Sequence, residues 1–256
     1  MDLFDLSGKH ALVTGATGPL QRSVVLALAE AGCDVSVTTV TDQLDEEVQA
    51  NSILNECWSI GRQGEALTIN LTDEAAIEEA IISLEERIAP VDILVNMPHQ
   101  VPIVPFLKTD AAAESQAFST NVAAVMIPTR IIGHRMVQRG VGRVVNLASI
   151  IHDRGVPNCS LYAATQGAIV GFTKSLGIEW IRSGVTVNAL ALGFYEELAG
   201  PQSDSRLRAA LEQYIPLRRL GRSDDIQGAL IYLVSDEAAF VTSELLVVDG
   251  AISVHA

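Results

Sequence analysis

The chain has 256 residues, a length that suits one α/β domain and can bury a sizeable core without disulfides or metal. Hydrophobic residues make up 48% and charged residues only 19%, against roughly 25% charged in average globular domains. With 31 acidic and 17 basic residues the net charge is -14, a field that repels phosphate backbones and argues against a nucleic-acid partner. No unbroken apolar run reaches the ~18 residues that suggest a membrane span. The start, Met1-Asp2-Leu3-Phe4-Asp5, lacks the basic residues of a signal peptide. Cys33, Cys57 and Cys159 are too widely spaced for a zinc site and odd in number for a disulfide framework. A cytoplasmic chain without a metal is expected. The apolar surplus points to an oligomer interface.

In chain order, strands are predicted at His10–Thr14, Asp34–Thr39, Ala66–Asn70, Asp92–Asn96, Arg143–Leu147, Thr186–Leu190 and Leu245–Val248. They are rich in Val, Ile and Leu and show little polar alternation, as strands covered on both faces do. Helical patterns fill the gaps. In one of them Ile77, Ile81, Leu84 and Ile88 recur on one face, while Glu78, Glu79, Glu85 and Glu86 face water. Alternating elements predict an α/β fold: a doubly wound parallel sheet of about seven strands, with helices on both faces. No repeat or linker interrupts the chain, so residues 1–256 read as a single domain. Ligands of such sheets bind beyond the strand C-termini.

Thr14-Gly15-Ala16-Thr17-Gly18-Pro19-Leu20-Gln21 follows the first strand and opens a helix. Further on come Asp92-Ile93-Leu94-Val95-Asn96, Asn121, Ser149 and Tyr162, then Leu217-Arg218-Arg219-Leu220-Gly221-Arg222 and Val247-Val248-Asp249-Gly250. This order and spacing resemble the short-chain dehydrogenase/reductase family over nearly the whole chain. The resemblance implies a Rossmann-type domain, NAD or NADP, and proton exchange between a tyrosine and an alcohol or carbonyl. It places catalytic positions at Asn121, Ser149, Tyr162 and Gln166. It places nucleotide-contacting positions at Gly15, Thr17, Gly18, Leu20, Asn70, Leu71, Asn96 and Gly193.

The departures from the family pattern concentrate on the cofactor. Pro19 and Gln21 stand where the family has its second and third glycines, which let the backbone approach a pyrophosphate. Thr39-Val40-Thr41 holds neither the acidic residue that would select NAD nor the basic one that would select NADP. Asn70 replaces an aspartate near the adenine, and Asn-Asn-Ala-Gly reads Asn96-Met97-Pro98-His99. His99 is read as a loop histidine that nothing in the sequence pairs. Gln166 replaces the lysine whose charge lowers the tyrosine pKa. Leu192-Gly193 replaces Pro-Gly, and Glu197 replaces a threonine that meets the nicotinamide. The acidic run Asp42-Gln43-Leu44-Asp45-Glu46-Glu47 is read as a helix start that also disfavours NADP.

On these residues the chain is expected to bind no cofactor tightly, or NAD if it is active. The favoured expectation is a non-catalytic subunit of a heteromeric dehydrogenase. It would support a homologous active subunit in a heterotetramer, or form a homotetramer otherwise. It is similar in type to hydroxybenzylsuccinyl-CoA dehydrogenase, with a hydroxyacyl or ketoacyl substrate that could be a CoA thioester. Arg206 and Arg208 are the candidates to hold a phosphate or carboxylate of such a substrate. The interface is expected on Val122, Val125, Ile169, Phe172 and Leu176, along helices near Ala111–Arg139 and Leu161–Arg182. The alternatives are an atypical NAD(P)-dependent oxidoreductase using Ser149 and Tyr162, and a cofactor-free lyase or isomerase.

Overall fold

Short runs of aliphatic and β-branched residues form seven strands: β1 (His10–Thr14), β2 (Asp34–Thr38), β3 (Ala66–Leu67), β4 (Ile93–Asn96), β5 (Gly142–Ser149), β6 (Val185–Leu192) and β7 (Leu245–Val248). The computed structural model describes residues 3–255. Met1 and Asp2, part of the N-terminal stretch read above, lie outside them. All the strands join one parallel sheet in the order β3-β2-β1-β4-β5-β6-β7. Every residue of β1, β4 and β6 is buried, as a sheet covered on both faces requires.

The helices are α1 (Pro19–Glu30), α2 (Leu44–Ser59), α3 (Glu74–Arg87), α4 (Ala111–Phe118), α5 (Ala124–Arg139), α6 (Ser160–Trp180), α7 (Ser205–Tyr214) and α8 (Asp224–Val234). Alternation along β1 divides them. Ala11 and Val13 pack with Leu20, Val24 and Leu28 of α1 and with Leu230 of α8. Leu12 faces the other side, with Ile77, Ile81 and Leu84 of α3 and Ile132 of α5. The side chains of α3 that repeat along one face are therefore its buried face. Asp73 caps this helix, its carboxylate accepting from the Ala76 N–H at 3.1 Å.

Three strand lengths differ by more than one residue from expectation. β3 stops at Leu67 because it is an edge strand paired only with β2, and the Thr39 hydroxyl takes over bonding to the Ile69 backbone. β5 and β6 run further than expected, in register to Ser149 opposite Leu192. A π-helical turn over Ser119–Ala123 joins α4 to α5 and carries Asn121. Such wide turns recur at functional positions. Chain order reverses at β1, which lies between β2 and β4, so a crevice is expected beyond the C-terminal ends of these strands. Among the described residues no helix is long and apolar enough to cross a membrane.

Candidate active site

At the β1–α1 turn, Gly15 takes φ +71, and a Cβ there would stand 3.0 Å from the Pro98 backbone. Its N–H donates to the Thr38 hydroxyl at 3.2 Å. The Thr17 N–H turns back to the Gly15 carbonyl at 2.9 Å, and Gly18 caps α1 without a side-chain bond. Pro19 is exposed at the first helical position, where its missing N–H costs nothing. The first N–H to bond back is that of Arg22, to the Gly18 carbonyl, so those of Leu20 and Gln21 have no acceptor within the helix. The Leu20 side chain is core. Gln21 folds over Gly18, where an added Cβ would be 2.7 Å from its Oε1, and its Nε2 reaches the Met97 carbonyl at 3.4 Å.

The remaining nucleotide candidates divide between the crevice and the core. Asn70 is exposed, and its Oδ1 accepts from the Thr72 N–H and hydroxyl at 2.9 and 2.8 Å. Leu71 is fully buried and its N–H donates to the Val40 carbonyl at 3.1 Å. Asn96 turns inward: it accepts from the Thr14 hydroxyl at 3.1 Å and donates to Thr129 and Asn146 at 2.8 Å each. Its side chain ties β1, β4 and β5 to α5 with its polar atoms satisfied. The structure adds a contact that the sequence did not reveal. Glu46 reaches back from α2, and one carboxylate oxygen accepts from both the Val40 and Thr41 N–H groups at 2.8 Å.

The catalytic candidates meet at the other end of the crevice. Ser149 ends β5 and Tyr162 lies in the first turn of α6. Both line one narrow cavity with His99, Leu192, Gly193 and Phe194. Its volume of about 20 Å³ suits a single oxygen-sized group. The Ser149 hydroxyl accepts from the Ile151 N–H at 3.3 Å and donates to the Leu192 carbonyl at 3.4 Å. Burial pushes the Tyr162 phenol well above its ordinary pKa, and the nearby Ser149 hydroxyl works in the opposite direction. Gln166, one turn further along α6, is buried. Its Nε2 reaches only the Thr165 hydroxyl at 3.5 Å, and its Oε1 has no partner. Asn121 does not line the cavity. It grips the Gln100 backbone, accepting from the N–H at 2.9 Å and donating to the carbonyl at 2.8 Å. That grip fixes the loop carrying His99.

Phe194 and Pro201 connect this cavity to a wider apolar cleft of about 500 Å³, lined also by Ile103, Val156, Leu207 and Leu211. Glu197 points away toward α8, accepting from the Ser223 N–H at 3.1 Å, with its other oxygen unpartnered. Arg208 pairs with Glu196 and Glu212, and Arg219 pairs with Asp225 through both carboxylate oxygens. Among the described residues no group of three or more His, Cys, Asp or Glu could hold a metal ion. Of the expected interface residues, Val125 and Ile169 belong to the internal core. Phe172 and Leu176, also expected at the interface, join Met126, Ile127 and Trp180 in lining an open groove of about 510 Å³ between α5 and α6.

The family model for enoyl-(acyl carrier protein) reductases matches residues 19–253. The chain belongs to the short-chain dehydrogenase/reductase family. Among its curated relatives, nodulation protein G of Azospirillum brasilense is 32% identical over 97% of this chain and 99% of its own length. Gluconate 5-dehydrogenase of Gluconobacter oxydans is 30% identical over 99% of this chain and 98% of its own length. The structure of a gluconate 5-dehydrogenase from Burkholderia cenocepacia in complex with NADP and tartrate superposes with a TM-score of 0.92 at 27% identity, covering 99% of this chain and 98% of that one.

These relatives correct the expectation that no cofactor is bound tightly. A member of the short-chain dehydrogenase/reductase family that aligns with nearly the whole chain is an NADP complex. The physical reason lies in what a helix start offers a phosphate. It offers backbone N–H groups, and the changes at Pro19 and Gln21 leave those of Leu20 and Gln21 in place.

Proposed function

We propose that this chain is a nicotinamide-dependent oxidoreductase that interconverts a hydroxyl and a carbonyl on an apolar substrate. The observation that carries the reading is the convergence of Ser149 and Tyr162 on one cavity that opens into the apolar cleft. Tyr162 exchanges the proton of the substrate oxygen, and Ser149 holds that oxygen in line. The N–H groups of Leu20 and Gln21 suit the pyrophosphate. The unpartnered Gln166 oxygen can accept a ribose hydroxyl. The donors present therefore fit a dinucleotide, which when bound supplies or accepts the hydride. Glu46 occupies the N–H pair at the end of β2, which supports an unphosphorylated ribose and hence NAD. A negative carboxylate there repels a ribose phosphate.

The test is NADH oxidation over a panel of apolar ketones and, in reverse, their alcohols. Turnover that disappears in Tyr162→Phe while NADH still binds is the expected result. Absence of turnover in both directions, with cofactor bound, rejects the reading.

A second reading keeps the chain as the supporting subunit of a heteromeric dehydrogenase for a hydroxyacyl or ketoacyl substrate. It is favoured by the absence of any cation on Tyr162 among the described residues and by the open apolar groove between α5 and α6. That groove would seat a homologous active subunit, or another copy of this chain in a homotetramer. Native mass spectrometry from the host separates the two: a mixed tetramer supports it, and a homotetramer with turnover removes it. Three buried, unpaired cysteines suit a reducing, cytoplasmic compartment.

A further inference from the structure

The loop after β4 carries a ring that the proposed reaction leaves unused. His99 meets Tyr162 edge to face, with ring centroids 5.4 Å apart and planes at 89°. The phenolic oxygen lies 3.2 Å from Nδ1 and 3.4 Å from Nε2, within reach of either nitrogen. A neutral imidazole has one donor nitrogen and one acceptor nitrogen. In either tautomer the ring therefore has an acceptor nitrogen for the protonated phenol and a donor nitrogen for the ionised one, both within reach of the same oxygen. The loop is held for the purpose: Pro98 precedes the histidine, and Asn121 bonds both polar groups of the Gln100 backbone after it.

The surroundings give this contact its importance. Gln166 is neutral and does not reach the phenol, and among the described residues no cation faces Tyr162. Among the described residues Cys159 is the one ionisable group whose charge acts on Tyr162, and burial raises its pKa too. Ser149 and Gln166 are neutral neighbours. Only burial moves His99, pushing it down to about 4, so the ring stays neutral at physiological pH.

We propose that His99 is the positioning residue for Tyr162: its ring holds the phenolic hydroxyl and donates an N–H to the phenolate, compensating for the uncharged Gln166. The inference rests on the proposed proton role of Tyr162, but its physical core, an eased ionisation, can be read without turnover.

The experiment combines His99→Phe, His99→Asn and Gln166→Lys, alone and as the double variant His99→Phe with Gln166→Lys. Phenolate absorbance against pH, with Tyr162→Phe as the blank, reports the tyrosine directly. The pH profile of kcat/KM reports its use. His99→Phe should raise the phenolate midpoint by one pH unit or more and lower kcat/KM at neutral pH by about tenfold to a hundredfold. His99→Asn, which retains an N–H donor, should lose less. Adding Gln166→Lys should restore most of both readouts, because a cation one turn from the phenol favours its anion. An unchanged phenolate midpoint in His99→Phe overturns the proposal, as does a gain in activity, which would mean that the ring merely blocks the cavity. If no variant turns over but the midpoint still shifts, the positioning role stands and the proposed reaction fails.

Discussion

At the β1–α1–β2 end of the crevice the altered side chains have found partners within the chain. Gln21 reaches the Met97 carbonyl, Asn70 holds Thr72, and Glu46 closes on Val40 and Thr41. At the β5–α6–β6 end they are only partly partnered. Gln166 keeps an unpartnered oxygen, and so do Glu197 and Gln202 in the segment after β6. Buried polar atoms without partners are uncommon in folded proteins, and each calls for a ligand or a reason. On the proposed reading, the nucleotide end is settled around a narrower choice of dinucleotide, and the catalytic end is where bound groups would complete the structure.

The largest expected effect tests the catalytic end. Tyr162→Phe should lower kcat by about 10²–10⁴-fold with NADH affinity unchanged, measured by steady-state kinetics and calorimetry. A change in affinity equal to the change in rate would place the tyrosine in binding instead.

The next effect is thermodynamic. The folded-state pKa of His99, about 4, lies below its ordinary 6.5. The unfolded chain therefore binds more protons in that window, so this group's contribution to stability rises with pH from about 4 to 6.5 and is lost on acidification. The half-buried ring limits the amount to at most about 3 kcal/mol. The buried His10, also lowered by burial, acts in the same direction. Urea midpoints at neutral pH and near pH 4 should converge for wild type and His99→Gln at the acid end. Parallel losses would mean that the ring is not desolvated.

At the nucleotide end, Glu46→Ala frees two N–H groups and removes a charge. NADPH affinity should rise about tenfold relative to NADH, read by calorimetry. An unchanged ratio would remove Glu46 from the selection. Gln21→Ala should matter least. A hydrogen bond of 3.4 Å is long, so thermal denaturation should register a loss below about 1 kcal/mol.

The sheet was legible because its strands are buried on both faces and therefore read as unbroken aliphatic runs. The ends of β3, β5 and β6 were not, because neighbouring strands and side-chain contacts decide where a ladder stops. Ser149 and Tyr162 were legible from their spacing in a familiar order. The His99–Tyr162 contact was not, because sixty-three positions separate the two and only the crossover from β4 to α6 brings them together. The one available signal was a histidine after proline at the C-terminal end of a central strand. Glu46 was read as a helix start, and its carboxylate in fact turns back onto the strand it follows. Asn96 was read as a cofactor position, and its side chain points into the strand–helix network instead.

The most direct measurement is calorimetric titration of the isolated chain with NADH and with NADPH. The account predicts saturable binding of one dinucleotide per chain, tighter for NADH by about tenfold, the size expected when one charged contact is lost or gained. Tighter NADPH binding would contradict the role given to Glu46. No binding of either at millimolar concentration would contradict the account as a whole.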